Sequence, residues 1–314
     1  MGHKSQEPYR GVVYNRRVIM IGQNILCDKI FAQIERGKFP RFSILIGDKG
    51  SGKKTLCYEI AKRLDCGTTF VSTKSDDVRE MIETSYKVDL PIVYVLADCD
   101  NMSSSSANAL LKVVEEPPKN AYFILTCENI HNLLPTIKSR GVTYMMEPYS
   151  YEDKCDYLDV VNSDCFKNRA ETEFVLNVSD NIGDVKTFIE MTMFSELSIK
   201  DFIEYVELVI DNIAEVSGSN SFKIGDKVAL KDEEDKYNLR LFWRAFNSLC
   251  VDRMTEKNQT EPLKYARAVA ITGECLSQLN INGLNKQMLF DTWILKIRGE
   301  WLYDSFRCKT TDTE

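Results

Sequence analysis

The residues best suited to chemistry are Gly47-Asp48-Lys49-Gly50-Ser51-Gly52-Lys53, which fit the spacing G-x-x-x-x-G-K. Glycines at these positions let successive backbone N–H groups turn inward around phosphate oxygens, and the lysine adds a point charge. In a hydrolysing site of this type the eighth position is Ser or Thr, whose hydroxyl ligates Mg²⁺. Here it is Lys54, and Thr55 comes one residue too late. The partner strand of such a loop ordinarily ends in Asp-Glu, but this chain has Ala97-Asp98, so the metal carboxylate is missing and Asp98 stands at the glutamate position. The joint absence of both magnesium ligands points to an abandoned hydrolytic function. An ammonium at Lys54, paired with Asp98, would supply positive charge in place of the metal; the alternative is a lysine that points to solvent.

The elements that must position these residues are legible as an alternation of apolar runs and helical patterns, the signature of a parallel α/β sheet. The run Phe42-Ser43-Ile44-Leu45-Ile46 reads as a buried strand feeding the glycine loop, with a helix over 25–36 before it and another over 55–64 after it. Residues 76–86 form an amphipathic helix opened by acidic residues, as the helix dipole favours. A second buried strand spans 91–96. A helix over 103–116 follows, capped by serines and stopped by Pro117-Pro118. A third strand spans 121–127. Beyond about residue 148 the strand signal fades into short helices up to 196 and longer ones from 198, with a polar, irregular loop over 218–236.

At 314 residues, 44% hydrophobic and 28% charged, the chain has the composition of a globular protein with a sizeable core. It contains no apolar run long enough to span a bilayer, and its polar N-terminus lacks the core of a signal peptide. Ten cysteines without a Cys-x-x-Cys pair read as reduced core thiols, neither a zinc site nor a disulfide framework. Two histidines, His3 and His131, leave little room for a His-based triad. A net charge of −7 argues against a protein that coats nucleic acid alone; contact with DNA would need a local patch or a larger assembly.

Residues 107–118, ANALLKVVEEPP, closely resemble the ANALLK-xx-EEPP segment of bacterial clamp-loader ATPases of the AAA+ class. Further matches fall in that family's order. Ile21-Gly22-Gln23 resembles the segment beside the adenine pocket, and Ser139-Arg140-Gly141 the Ser-Arg-Cys motif with Gly for Cys. Gly183-Asp184-Val185-Lys186 resembles the second sensor with Lys for Arg, and the stretch from Asn280 to Leu289 resembles the collar helix. Cys127 stands at the first sensor's threonine, and the zinc cluster of many relatives is absent. The resemblance covers most of 12–190 and the last third only loosely.

The resemblance implies an α/β AAA+ core with a parallel sheet over 1–148, a helical lid over 149–196 and an all-α collar over 197–314. It places Gly47, Gly50, Gly52, Lys53, Lys54, Thr55, Asp98 and Lys186 around ATP or ADP, held weakly or without magnesium. Arg140 would reach a neighbouring subunit's ATP as an arginine finger, unless it is a plain surface arginine. Lys74 and Arg79 would touch DNA backbone phosphates, although Asp76 and Asp77 beside them also fit a solvated helix face. The implied partners are the other subunits of a hetero-pentamer, primer-template DNA and a sliding clamp. The setting would be replication in the cytoplasm of a bacterium or a phage-infected host. The Ala97-Asp98 pattern is more like the delta-prime subunit of DNA polymerase III than its hydrolysing subunits. Two other readings remain: an active motor subunit with an unusual metal arrangement, and a small-molecule kinase.

Overall fold

The computed structural model describes residues 20–161, 166, 168–194, 198–213, 228–229, 237–256, 261–279, 281 and 284–311. They divide into two compact units, the first taking residues up to 162 together with Asn181–Gly183, the second the remainder.

The first unit is built on five parallel strands: β1 (Phe42–Ile46), β2 (Gly67–Val71), β3 (Ile92–Leu96), β4 (Ala121–Cys127) and β5 (Val142–Met145), in the spatial order β2-β3-β4-β1-β5. Helices α1 (Asn24–Glu35), α2 (Lys53–Arg63), α3 (Ser75–Ser85), α4 (Ser104–Glu115), the single turn α5 (Pro135–Lys138) and α6 (Tyr151–Val161) complete it. The central strands are buried on both faces, which is why they read as continuous apolar runs. Side chains alternate between two cores. Phe42, Ile44, Ile46, Tyr94, Leu96, Phe123 and Leu125 pack with α3, α4 and α5. Leu45, Val93, Val95 and Ile124 pack with α1 and α2 on the opposite face.

Two strands escape the sequence reading, so 121–127 is the fourth strand in the chain and not the third. β2 and β5 are the sheet's edges, β2 half-buried to exposed and β5 exposed except at Tyr144, and neither carries a buried apolar run. The helix expected over 55–64 begins two residues earlier, at Lys53, directly after Gly52 in a left-handed conformation (φ 87°). The single turn α5 is opened by Pro135.

The second unit is mainly helical: α7 (Arg169–Val178), α8 (Ile182–Phe194, whose first two residues belong to the first unit), α9 (Ile199–Asn212), α10 (Leu239–Thr255), α11 (Pro262–Gln278) and α12 (Lys286–Thr311). Its centre is aromatic. Trp293 meets Phe246, Phe290 and Trp243 at ring-centroid distances of 5.0, 5.5 and 5.8 Å, and its indole N–H donates to Thr272 Oγ1 at 2.8 Å. Arg244 ion-pairs with Asp180 and Asp184. Burial raises the pKa of the Asp184 carboxyl, and Arg244 opposes that shift. Most of the irregular 218–236 stretch lies outside the described residues; within it, β6 (Val228–Ala229) pairs in parallel with β7 (Tyr237–Asn238). Of the collar-like stretch, Asn280, Asn282 and Gly283 also lie outside, and α12 begins only at Lys286.

Phe123 is fully buried in β4 and stacks on Tyr94 at 5.5 Å. Phe123→Ala is expected to lower the stability of the first unit by about 3–5 kcal/mol, read as a fall in the urea midpoint with little change in slope.

Candidate phosphate-loop site

The loops after β1, β3 and β4 leave the sheet at the same edge, because the three strands are adjacent and parallel, with Ile46 opposite Cys127 and Leu96 opposite Leu125. Ligands of open α/β sheets bind at this carboxyl edge. Residues 47–52 run from β1 into α2 there. Gly50 and Gly52 have φ of 90° and 87°, a region that side chains with a Cβ rarely adopt. A Cβ on Gly47 would come within 2.7 Å of Met146 and 2.8 Å of Ser51 Oγ. The glycines at these positions thus meet a steric requirement of the loop itself.

Lys53, at the first position of α2, is buried, and its ammonium donates to the carbonyls of Gly47 at 2.6 Å and Asp48 at 2.9 Å. Burial pushes its pKa down, while Glu128, Asp98 and Asp100 push it back up. Ser51 is 5% exposed, and its hydroxyl has no hydrogen-bond partner. A buried polar atom without a partner calls for an explanation, and a ligand within the loop is one.

Lys54 faces outward in the first turn of α2, 3.9 Å from the Asp98 carboxylate. Thr55, half-buried, follows it in the same turn. Asp98 sits two residues past β3 in a left-handed conformation (φ 57°), its N–H donating to Thr126 Oγ1 at 3.2 Å. Asp100 accepts the backbone N–H groups of Glu128 and Asn129, both at 2.8 Å. Cys127 ends β4, and burial pushes the pKa of its thiol up to about 12.

These residues do not fit the magnesium that a phosphate loop of this class ordinarily holds. An ammonium stands at the hydroxyl ligand, Ala97 offers no oxygen from its side chain, and the exposed carboxylate of Asp98 is already paired with that ammonium. Among the described residues no three His, Cys, Asp or Glu side chains are grouped as a metal site would require.

Contacts on and near the loop join distant parts of the chain, and the motifs that contain Gln23 and Gly183 do not specify their partners. The Gln23 side chain donates to Glu147 O and accepts from Glu147 N–H, both at 2.6 Å, fixing 21–23 against the end of β5. Tyr149 donates to the Ser51 carbonyl at 3.0 Å, and burial raises the pKa of its hydroxyl to about 12. Asn181 Nδ2 donates to Lys49 O at 3.1 Å and Gly183 N–H to Gly50 O at 3.1 Å. Gly183 lies so close to Gly50 that neither position has room for a Cβ.

Of the remaining candidates, Arg140, Arg79 and Lys186 have partners of their own. Arg140 follows α5 on the surface, held by Glu115 Oε1 at 3.0 Å and by the Thr136 carbonyl at 3.0 Å. Glu115 is the last residue of α4, within the EEPP segment. At Gly141, where the motif has Cys, a Cβ would stand 2.7 Å from Ile44 Cδ1 and 2.9 Å from Phe42 Cε1, so a larger residue would require these β1 side chains to shift. Lys74 is the N-cap of α3 and exposed. Arg79 is shared between Asp76 at 3.6 Å and Ser105 Oγ at 3.2 Å. Ser75 lies 3.3 Å from Ser103 and 3.1 Å from Ser106, hydroxyl to hydroxyl, so the N-termini of α3 and α4 adjoin. Lys186 belongs to the second unit and pairs with Glu190 at 3.5 Å.

Residues 71–150 match the family profile described as DNA polymerase III, delta subunit. The chain is 28% identical over 170 residues to a DNA polymerase III subunit gamma of Buchnera aphidicola subsp. Schizaphis graminum, covering 44% of this chain and 47% of that one. It is 24% identical over 245 residues to a replication factor C small subunit of Methanococcus maripaludis, covering 71% and 76%. The chain spans about half the length of the gamma subunits it matches. Among solved structures, a DNA polymerase III gamma subunit-related protein of Thermotoga maritima superposes with a TM-score of 0.51 at 17% identity, over 88% of this chain and 99% of that one, a likeness of fold. Residues 71–150 thus resemble the DNA polymerase III delta subunit, and the chain is similar in sequence to DNA polymerase III gamma subunits and to a replication factor C small subunit, with a fold like that of a gamma subunit-related protein.

Proposed function

We propose that this chain is a non-hydrolysing, delta-prime-like subunit of a hetero-pentameric clamp loader, which supports loading of a sliding clamp onto primer-template DNA. The observation that carries the reading is the Lys54–Asp98 ion pair where a hydrolysing site would hold a hydroxyl, a carboxylate and their metal. Residues 149–196 act as lid and 197–314 as collar in this reading.

Arg140 is the chain's contribution to catalysis, made on the neighbouring subunit's ATP. An added guanidinium beside the γ-phosphate stabilises the charge that spreads over its oxygens in the transition state. Glu115 and the Thr136 carbonyl hold the group at the surface, which lowers the entropy cost when it docks. The adjoining N-termini of α3 and α4, with Lys74 and Arg79, form the surface for DNA phosphates; such contacts position without reading sequence. The similarity to gamma subunits favours a second reading, an active motor subunit. The two separate on hydrolysis by the chain itself.

Mixed with its motor subunits, Arg140→Ala is expected to slow turnover at the adjacent site by on the order of 10³, with the variant's own melting temperature unchanged. Unaltered turnover in the mixture would remove the finger role.

The collar reading draws on α12, where Met288 and Leu295 are exposed one heptad apart, with Leu302 a further heptad along. Apolar side chains at that spacing suit a second helix. Leu295→Asp is expected to weaken association with partner subunits by roughly tenfold or more in sedimentation, while the free chain keeps its helical circular dichroism.

A further inference from the structure

We propose that the 47–55 loop binds the polyphosphate chain of a ligand without a divalent cation, Lys54 standing in for the metal. This rests on reading 47–55 as a phosphate loop and is independent of the role given to Arg140. Two charges would share the anion. Lys53 is buried and fixed by the Gly47 and Asp48 carbonyls, so it marks the inner end of the loop. Lys54 is exposed one residue further along α2, and Asp98, itself solvated, holds it at 3.9 Å. That pair is weak enough to open for a phosphate oxygen. The Ser51 hydroxyl, buried within the loop and without a partner, is a donor that an anion would satisfy.

Divalent metal has no comparable place. It would have to displace an ammonium from the exposed Asp98 carboxylate and sit beside it. Asp100, the next carboxylate along, has its oxygens committed to the backbone of Glu128 and Asn129. A metal-free site also prefers the free polyphosphate to its magnesium complex, so added Mg²⁺ competes for the ligand in solution and weakens binding.

The test is titration of ADP, ATP and inorganic tripolyphosphate into the intact chain by calorimetry, in EDTA and in excess Mg²⁺. The expected result is binding in EDTA that excess Mg²⁺ weakens. Lys54→Thr should reduce metal-free affinity by roughly tenfold or more, and Lys54→Thr/Ala97→Asp should bind more tightly with Mg²⁺ than in EDTA. Tripolyphosphate binding as tightly as the nucleotides would assign recognition to the phosphate chain alone; binding of nucleotides only would add a nucleoside contact. Both patterns uphold the metal-free site. Binding that needs Mg²⁺, no binding of any of the three, or a Lys54→Thr protein that matches the wild type in EDTA would each overturn it. None of these outcomes alters the Arg140 measurement, which reads a neighbouring subunit's site.

Discussion

The ammonium of Lys53 lies almost wholly out of water, a position that costs several kcal/mol unless the charge is answered by dipoles and counter-charges. The Gly47 and Asp48 carbonyls supply the dipoles, and Glu128, Asp98 and Asp100 supply the field. Much of the site's architecture follows from that requirement. The loop must fold back on its own lysine, which forces Gly50 and Gly52 into left-handed backbone and starts α2 at Lys53. β1, β3 and β4 must lie side by side so that their ends bring Gly47, Asp98 and Glu128 to one edge. Tyr149 and Asn181 then fasten the loop through the Ser51 and Lys49 carbonyls to two other parts of the first unit.

The neighbouring lysine has the opposite effect. Lys54 is exposed, free to meet either Asp98 or an anion, and it occupies the position from which a hydroxyl would grip magnesium. In the proposed reading the scaffold for phosphate is retained while the apparatus for activating water on it is not. In the proposed account the chain's catalytic contribution is displaced to the C-terminal end of α4, where Glu115 presents Arg140. Holding phosphate and supplying a transition-state charge are then assigned to different surfaces of one fold.

The central sheet was legible because β1, β3 and β4 are buried on both faces, and such strands leave uninterrupted apolar runs in the sequence. β2 and β5 were not, since an edge strand needs only one covered face; β5 buries Tyr144 alone of its four residues. The loop, Lys54, Asp98 and Arg140 could be found from spacing and motif. Their pairing could be found only in part: the Lys54–Asp98 contact follows from where two loops should meet, whereas Glu115–Arg140 and Asn181–Lys49 join residues 25 and 132 positions apart with no periodicity to link them. Gly141 is a related case. The motif alone makes it a missing cysteine, while the structure makes it a fit to Ile44 and Phe42. The unpartnered Ser51 hydroxyl is a property of packing and has no sequence signature.

The central claim, a phosphate loop without hydrolysis of its own, is tested most directly by ATP turnover of the purified chain alone in saturating Mg²⁺, under single-turnover conditions with chain in excess. The account predicts no phosphate release above the spontaneous rate, for the wild type and for Arg140→Ala alike. Magnesium-dependent release by the chain alone, abolished by Lys53→Ala and untouched by Arg140→Ala, would contradict it and make the chain a motor subunit.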